Sequence, residues 1–245
     1  MSTTTDTPGT ATAAPLSLPA RLIGVLTAPR ATYADVAARP RWIGMMAVVV
    51  LVGALGTFAF LSTEVGRNAM LDQQIKAMES FGITVSDQMY AQIEGRMAFA
   101  RVTTPIFQAI GLPLMCLIVS GLLIAVFNAI MGGNATFKQV YSIVVHAGAV
   151  MTLATVFGLP LAYARGVMSG ATNLGVFFPF LDENTFPARF LGSIDLFLLW
   201  WLISLSIGMG VLYKKKTAPI ANSLVGLYVI IGFIIAAVKT ALSGA

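Results

Sequence analysis

The sequence predicts an all-α membrane protein: five transmembrane helices, an N-terminal interfacial amphipathic helix and an extracytoplasmic helical hairpin. Three observations carry this prediction. Of 245 residues, 10% are charged and 57% hydrophobic, against roughly 25% charged in an average globular chain. The mean hydropathy is +0.84, and a soluble chain with so few charges would expose large apolar patches. The charges that remain bracket long uncharged stretches, several of them near the ~20 residues that a helix needs to cross a bilayer. The net charge of +5 is too dilute to point to nucleic acid, so the lipid bilayer is the partner that composition implies.

Residues 1–15, MSTTTDTPGTATAAP, hold neither basic residues nor an apolar core. They are expected to be a disordered tail and not a cleaved signal sequence. Residues 16–40 interleave Leu18, Leu22, Ile23 and Val25 with Arg21 and Arg30, and Pro19 and Pro29 bracket a short helix. Such a segment suits the plane of an anionic leaflet. Residues 41–245 then form the five-span domain.

The gap from Arg41 to Glu64 leaves 22 uncharged residues, the first span, near 42–62. The outer segment, about 66–103, has apolar residues at helical spacing (Met70, Leu71, Ile75 and Met78, then Met89, Ile93 and Met97). Gly82 interrupts the pattern and Ser86 reads as an N-cap, which predicts a helical hairpin. The 36 uncharged residues from Arg101 to Lys138 are too few for two spans and a turn. They count once, near 105–131, with a kink expected at Pro113. Further spans are expected near 141–164, 190–213 and 220–241. The 16 residues of 166–181 are rich in small and polar side chains, and read as an interfacial or re-entrant loop.

Basic residues near span ends set orientation. With the N-terminus inside, Arg21, Arg30, Arg39, Arg41, Lys138 and Lys214, Lys215 and Lys216 fall on one side, net +6 with Asp6 and Asp35. The outer segments are then neutral. This predicts a cytoplasmic N-terminus and an extracytoplasmic C-terminus.

Polar side chains at membrane depth are the candidate sites, because leaving them unpaired there is costly. They are Asp195, His146, Asn128 and Gln108. Depth along the helices sets His146 and Asn128 at one level, where they could bond across helices, with Asp195 more than about 10 Å away. Gln108 and Arg165 are the expected partners of Asp195. Each site also has a structural reading: a packing hydrogen bond for His146 and Asn128, and a helix N-terminus for Asp195. Small residues at four-residue spacing, among them Ser204, Gly208 and Gly210, with Gly158 and Gly232 on other spans, permit close helix approach. One cysteine, Cys116, and the single His146 exclude a disulfide framework and a histidine-rich metal cluster. Neither HExxH nor a phosphate-binding glycine loop occurs. No catalytic residue, cofactor or metal is predicted.

Three stretches carry a family likeness. They are LIGVLTAPRATYADVAARPRW before the first span, Gly132-Gly133-Asn134-Ala135-Thr136-Phe137-Lys138-Gln139 with VYSIVVHAGAV, and GSIDLFLLWWLISLSIGMGVLYKKK. In order and topology, across about residues 20–240, the chain resembles the Yip-domain family, whose eukaryotic members are named for interaction with Ypt/Rab GTPases. The resemblance implies five spans with a cytosolic N-terminus. The short N-terminal segment and larger outer loop look like the bacterial branch, where Rab partners are absent. The expected function is non-enzymatic organisation of membrane partners or lipid, as an oligomer with itself or with other membrane proteins. The alternative is a small transporter or channel using the intramembrane polar residues.

Overall fold

The computed structural model describes residues 14–168 and 170–242. The expected disordered tail therefore lies almost wholly outside the described residues. Those described are helical, with one isolated bridge and no strand.

Helices α1 (Leu18–Thr27) and α2 (Pro29–Ala38) form a tight hairpin. The Ser17 side chain caps α1, and Pro29 opens α2 at a position where its missing N–H costs nothing. One guanidinium closes the hairpin. Arg21 Nε and Nη2 reach Asp35 Oδ2 at 2.8 and 2.7 Å, while Nη2 and Nη1 donate to the carbonyls of Arg39 (3.1 Å) and Arg41 (3.4 Å). Arg21 is 3% exposed. The hairpin packs against the helices that follow it. Val25, Tyr33 and Val36 belong to the main core, and Tyr33 Oη bonds Ser204 Oγ at 2.7 Å. Of the apolar residues that the sequence assigns to lipid, Val25 is buried and Leu22 half-buried, whereas Leu18 and Ile23 remain exposed.

α3 (Ile43–Leu61) matches the first expected span. Met45 and Met46 at its start are buried in the core, so they fill space between helices. The outer hairpin differs from expectation. Its first arm, α4 (Glu64–Glu79), ends in a turn at Gly82, where φ is +76°. Its second arm begins after the Ser86 cap and never stops at residue 103. α5 (Asp87–Ile124) runs on through Pro105 and Pro113 into a π-helical turn, Ala125–Ile130. Together they make one 44-residue rod, about 66 Å long. Neither proline ends the helix, and a π-helical turn follows at 125–130.

α6 (Phe137–Arg165) is the central helix. A capping box starts it: Thr136 Oγ1 accepts from Gln139 N (3.3 Å) and Gln139 Oε1 accepts from Thr136 N (2.9 Å). Its first half, Val140–Ala147, is fully buried against α1, α2, α3 and α8. The loop at 166–181 contains a 3-10 turn, Leu174–Phe177.

The fourth expected span is divided. α7 (Phe186–Ser193) and α8 (Leu196–Leu212) are separate helices, because Asp195 stops one and starts the next. α8 has 17 residues, about 26 Å. α9 (Thr217–Leu242) completes the fold. α3, the α5 rod, α6 and α9 are each long and apolar enough to cross a membrane, and α8 is a shorter apolar helix.

Removing one partner of a buried ion pair costs about 3–5 kcal/mol. Arg21→Ala is therefore expected to lower the unfolding midpoint of the detergent-solubilised protein strongly. Arg21→Lys should fall between, since an ammonium reaches Asp35 but cannot also span two carbonyls. Equal midpoints for all three would show that the hairpin does not depend on Arg21. A second test uses pH. Burial pushes the Tyr33 phenol well above its ordinary 10.0, against a smaller opposite pull from the Ser204 bond. The fold then holds the phenol neutral while the unfolded chain ionises it near pH ~10. Stability should decline as pH rises above that value, and Tyr33→Phe should flatten the decline.

Candidate functional site

Asp195 stands between α7 and α8 with extended backbone angles, and each of its polar groups has a partner. Its Oδ1 accepts from the amides of Phe197 (2.9 Å) and Leu198 (3.0 Å), two of the free donors at the start of α8. Its Oδ2 accepts from the Thr172 hydroxyl. Its own N–H donates to Tyr228 Oη at 2.8 Å, and that hydroxyl donates to the carbonyl of Ser193 at 2.7 Å. Two backbone bonds, Leu174 N to Ile194 O (2.9 Å) and Leu196 N to Thr172 O (3.1 Å), strap the loop to this junction. Asn173 Nδ2 adds a bond to the Gly192 carbonyl at 2.8 Å. One carboxylate therefore joins the 172–174 loop to the α7–α8 junction, and Tyr228 brings α9 to the same point. Gln108 and Arg165 are not its partners.

The other candidates are also bound locally. Gln108 Oε1 accepts from the Thr57 hydroxyl at 2.8 Å, joining α5 to α3. Gly53 leaves room for it, since a Cβ there would lie 2.8 Å from Gln108 Nε2. Asn128, in the π-turn, donates to the Ala135 carbonyl (2.8 Å) and accepts from Tyr213 Oη (2.7 Å). It thus ties the 131–136 turn to the end of α8. His146 does not meet Asn128. It is fully buried, with Nδ1 at 2.7 Å from the carbonyl of Ser142 one turn earlier. A carbonyl only accepts, so Nδ1 carries the proton. Nε2, and Ser142 Oγ nearby, have no hydrogen-bond partner among the described residues.

The small residues pack within the chain. A Cβ on Gly208 would come within 2.4 Å of Ile143 Cγ2 and 3.1 Å of the Tyr33 ring. This gap lets α2, α6 and α8 converge. Ser204 is taken by Tyr33. Gly232 faces Ser193 Oγ, 2.6 Å from where its Cβ would be. Gly210 accommodates the Lys215 and Thr217 backbone of the α8–α9 turn, and Gly158 is looser, with Thr172 Cγ2 at 4.0 Å.

The fold also gathers residues that sequence reasoning, Arg165 apart, treated only as charges of the expected outer segments. Lys76 of α4 pairs with Glu183 at 3.2 Å. A cavity lies on each side of this pair. One, about 420 Å³, opens between α4 and the 166–181 loop and includes Arg165 and Asp72. The other, about 440 Å³, lies between α4, α7 and α9 and includes Arg189 and Lys239. The sequence carried no signal for this grouping, because the residues come from α4, the 166–185 segment, α7 and α9, which only the fold brings together. Tyr33, Thr172 and Tyr228 were missed because each meets its partner on another element. Among the described residues, no three His, Cys, Asp or Glu side chains cluster as metal ligands would.

Long apolar helices whose polar groups bond to one another define a multi-pass α-helical membrane protein. The chain belongs to the Yip1 domain family, whose sequence model matches residues 23–238, nearly the whole chain. This is not a family of enzymes. No curated protein and no solved structure matches the chain.

The Asp195 geometry separates a structural carboxylate from a charge carrier. Asn at 195 can keep both cap bonds and turn its amide toward Thr172, so Asp195→Asn should stay near wild-type stability. Asp195→Ala should lose about 1–2 kcal/mol from the cap alone, read as a lowered unfolding midpoint in detergent. Equal loss in both variants would mean that the charge itself is required.

Proposed function

We propose that this protein is a non-enzymatic organiser of membrane partners or lipid, self-associating in a bacterial inner membrane. The carrying observation is the use of its intramembrane polar groups. Asp195, Asn128 and Gln108 each bond to a neighbouring element of the same chain. No two of the four candidates bond to each other. A transporter or channel drawing on these residues is the weaker reading, since Asp195 lines neither of the two outer cavities.

Partner or lipid contact would use what is left exposed. On α5 this is a broad apolar surface that includes Phe99, Ile106, Phe107, Ile110 and Leu114. Ser204, Gly208, Gly210 and Gly232 are buried within the chain, so self-association would use the α5 surface in preference to these small-residue faces.

The orientation, N-terminus inside and C-terminus outside, has support from how the ends are grouped. Arg30 Nη2 lies 3.4 Å from Thr217 Oγ1, and Gln139 Nε2 donates to the Ala37 carbonyl at 3.1 Å. The N-terminal hairpin, the start of α6 and the Lys214–Lys216 turn therefore share one end of the bundle. These segments carry the net positive charge, as the cytoplasmic side of a membrane protein does.

In a Cys116→Ser background, Lys215→Cys should resist a membrane-impermeant maleimide in intact spheroplasts, whereas Glu183→Cys should react. The reverse pattern would invert the topology. For self-association, crosslinking in native membranes should trap dimers or larger species. A strictly monomeric chain with no crosslinked partner would reject the organiser reading.

A further inference from the structure

We propose that the cavity between α4, α7 and α9 binds the phosphodiester headgroup of an anionic phospholipid, held by Lys76, Arg189 and Lys239. The inference deepens the organiser reading and rests on it only in placing the chain in a bilayer.

The charge pattern is the first argument. Three cations and two carboxylates, Glu79 and Glu183, line this cavity. Glu183 is already paired with Lys76. Arg189 and Lys239 form no ion pair among the described residues. Arg189 Nη2 has only the neutral Asn184 Oδ1 at 3.3 Å, and its Nη1 is buried without a partner. Lys239 Nζ lies 5.2 Å from the centre of the Phe81 ring. A guanidinium taken from water without an acceptor is costly, and a phosphate oxygen is the acceptor it matches best. Two uncompensated cations against one uncompensated carboxylate favour a headgroup of net charge −1 over one carrying its own ammonium.

Shape and position supply the second argument. About 440 Å³ is within the range of small-ligand sites, roughly 300–1,000 Å³. Its walls are held in place from both sides. Phe186 and Phe190 of α7 pack edge-on against Phe233 of α9, with ring centres 5.1 and 5.9 Å apart. On the opposite side, the α4–α5 turn abuts the end of α9. Gly82 there has φ +76° and lies so close that a Cβ would be 2.9 Å from the Leu242 carbonyl. Below the cations, Ile231, Ile235 and Val238 share one exposed face of α9. Acyl chains can lie along that face while the headgroup enters the cavity. An apolar face ending in cations is complementary to an anionic amphiphile, whereas free phosphate would leave the apolar face unused.

The test uses the purified full chain in detergent. Native mass spectrometry reads its occupancy by phosphatidylglycerol against an equimolar amount of phosphatidylethanolamine. The wild type should prefer phosphatidylglycerol, and each cation removed should weaken that preference by about fivefold. Arg189→Gln/Lys239→Gln should bring the two lipids to near parity. Lys239→Gln alone, altering a partly exposed tip, covers the case in which the double variant fails to fold. Arg96→Gln, an exposed charge that does not line the cavity, should leave the preference intact. Parity in the wild type would overturn the proposal, as would full preference retained in both cavity variants. Inorganic phosphate is the remaining arm. Millimolar phosphate that protects against thermal unfolding as well as the lipid does would assign the site to the free anion and reject the lipid. Lost crosslinking with retained lipid preference would count against the organiser reading alone, and the converse against the lipid site alone.

Discussion

The structure depends on one constraint: a polar group in apolar surroundings costs free energy unless it finds a partner within the protein, because no water is there to replace it. This chain has few such groups, and most hold separate elements together. Arg21 and Asp35 close the N-terminal hairpin, and Tyr33 and Ser204 seat it on α8. Asn128 and Tyr213 lock the π-turn to the end of α8, while Gln108 and Thr57 join α5 to α3. Helix–helix association in lipid lacks the hydrophobic drive available in water. Hydrogen bonds and close backbone approach therefore carry more of the specificity here.

Asp195 shows how the constraint shapes the end of the bundle opposite the N-terminal hairpin. A carboxylate within an apolar stretch could have been lost to an unbroken helix. Instead it ends α7, caps α8 and receives the Thr172 hydroxyl, so the loop between α6 and α7 is tied down. Tyr228 holds the same junction from α9. This anchoring fixes α7 against α9 and gives the two cavities their walls. The groups left unsatisfied are then informative. Ser142 and His146 sit deep in the core, whereas Arg189 stands among the charges that line the cavity between α4, α7 and α9.

Much of the fold was legible in the sequence because charge is so costly in hydrocarbon. The uncharged gaps located α3, α6 and α9 to within a few residues, and Ser86 marked the start of the second outer arm. Legibility failed where two signals competed. The outer arm and the second span carry different compositions, amphipathic then apolar, which reads as two elements. A helix can change its surroundings without interrupting its backbone bonds, so α5 is one rod. The fourth span failed in the opposite sense, since a charge-gap count tolerates one acid but local hydrogen bonding lets that acid divide the helix. The candidate site was legible by residue type only. Asp195, Asn128 and Gln108 are all engaged, but each with partners that depth along a straight helix does not identify.

By itself, the sequence determined the class of protein, its all-helical content and the segregation of its positive charge. These follow from transfer free energies summed along the chain, which need no knowledge of neighbours. Only the tertiary structure decided that the N-terminal hairpin enters the core, that the small residues of α8 serve contacts inside the chain, and that Lys76, Arg189 and Lys239 surround one cavity. Those outcomes depend on which helix lies beside which. Lipid-facing and protein-facing apolar residues look alike in sequence, because a lipid tail is as apolar as a leucine. Packing geometry alone distinguishes them.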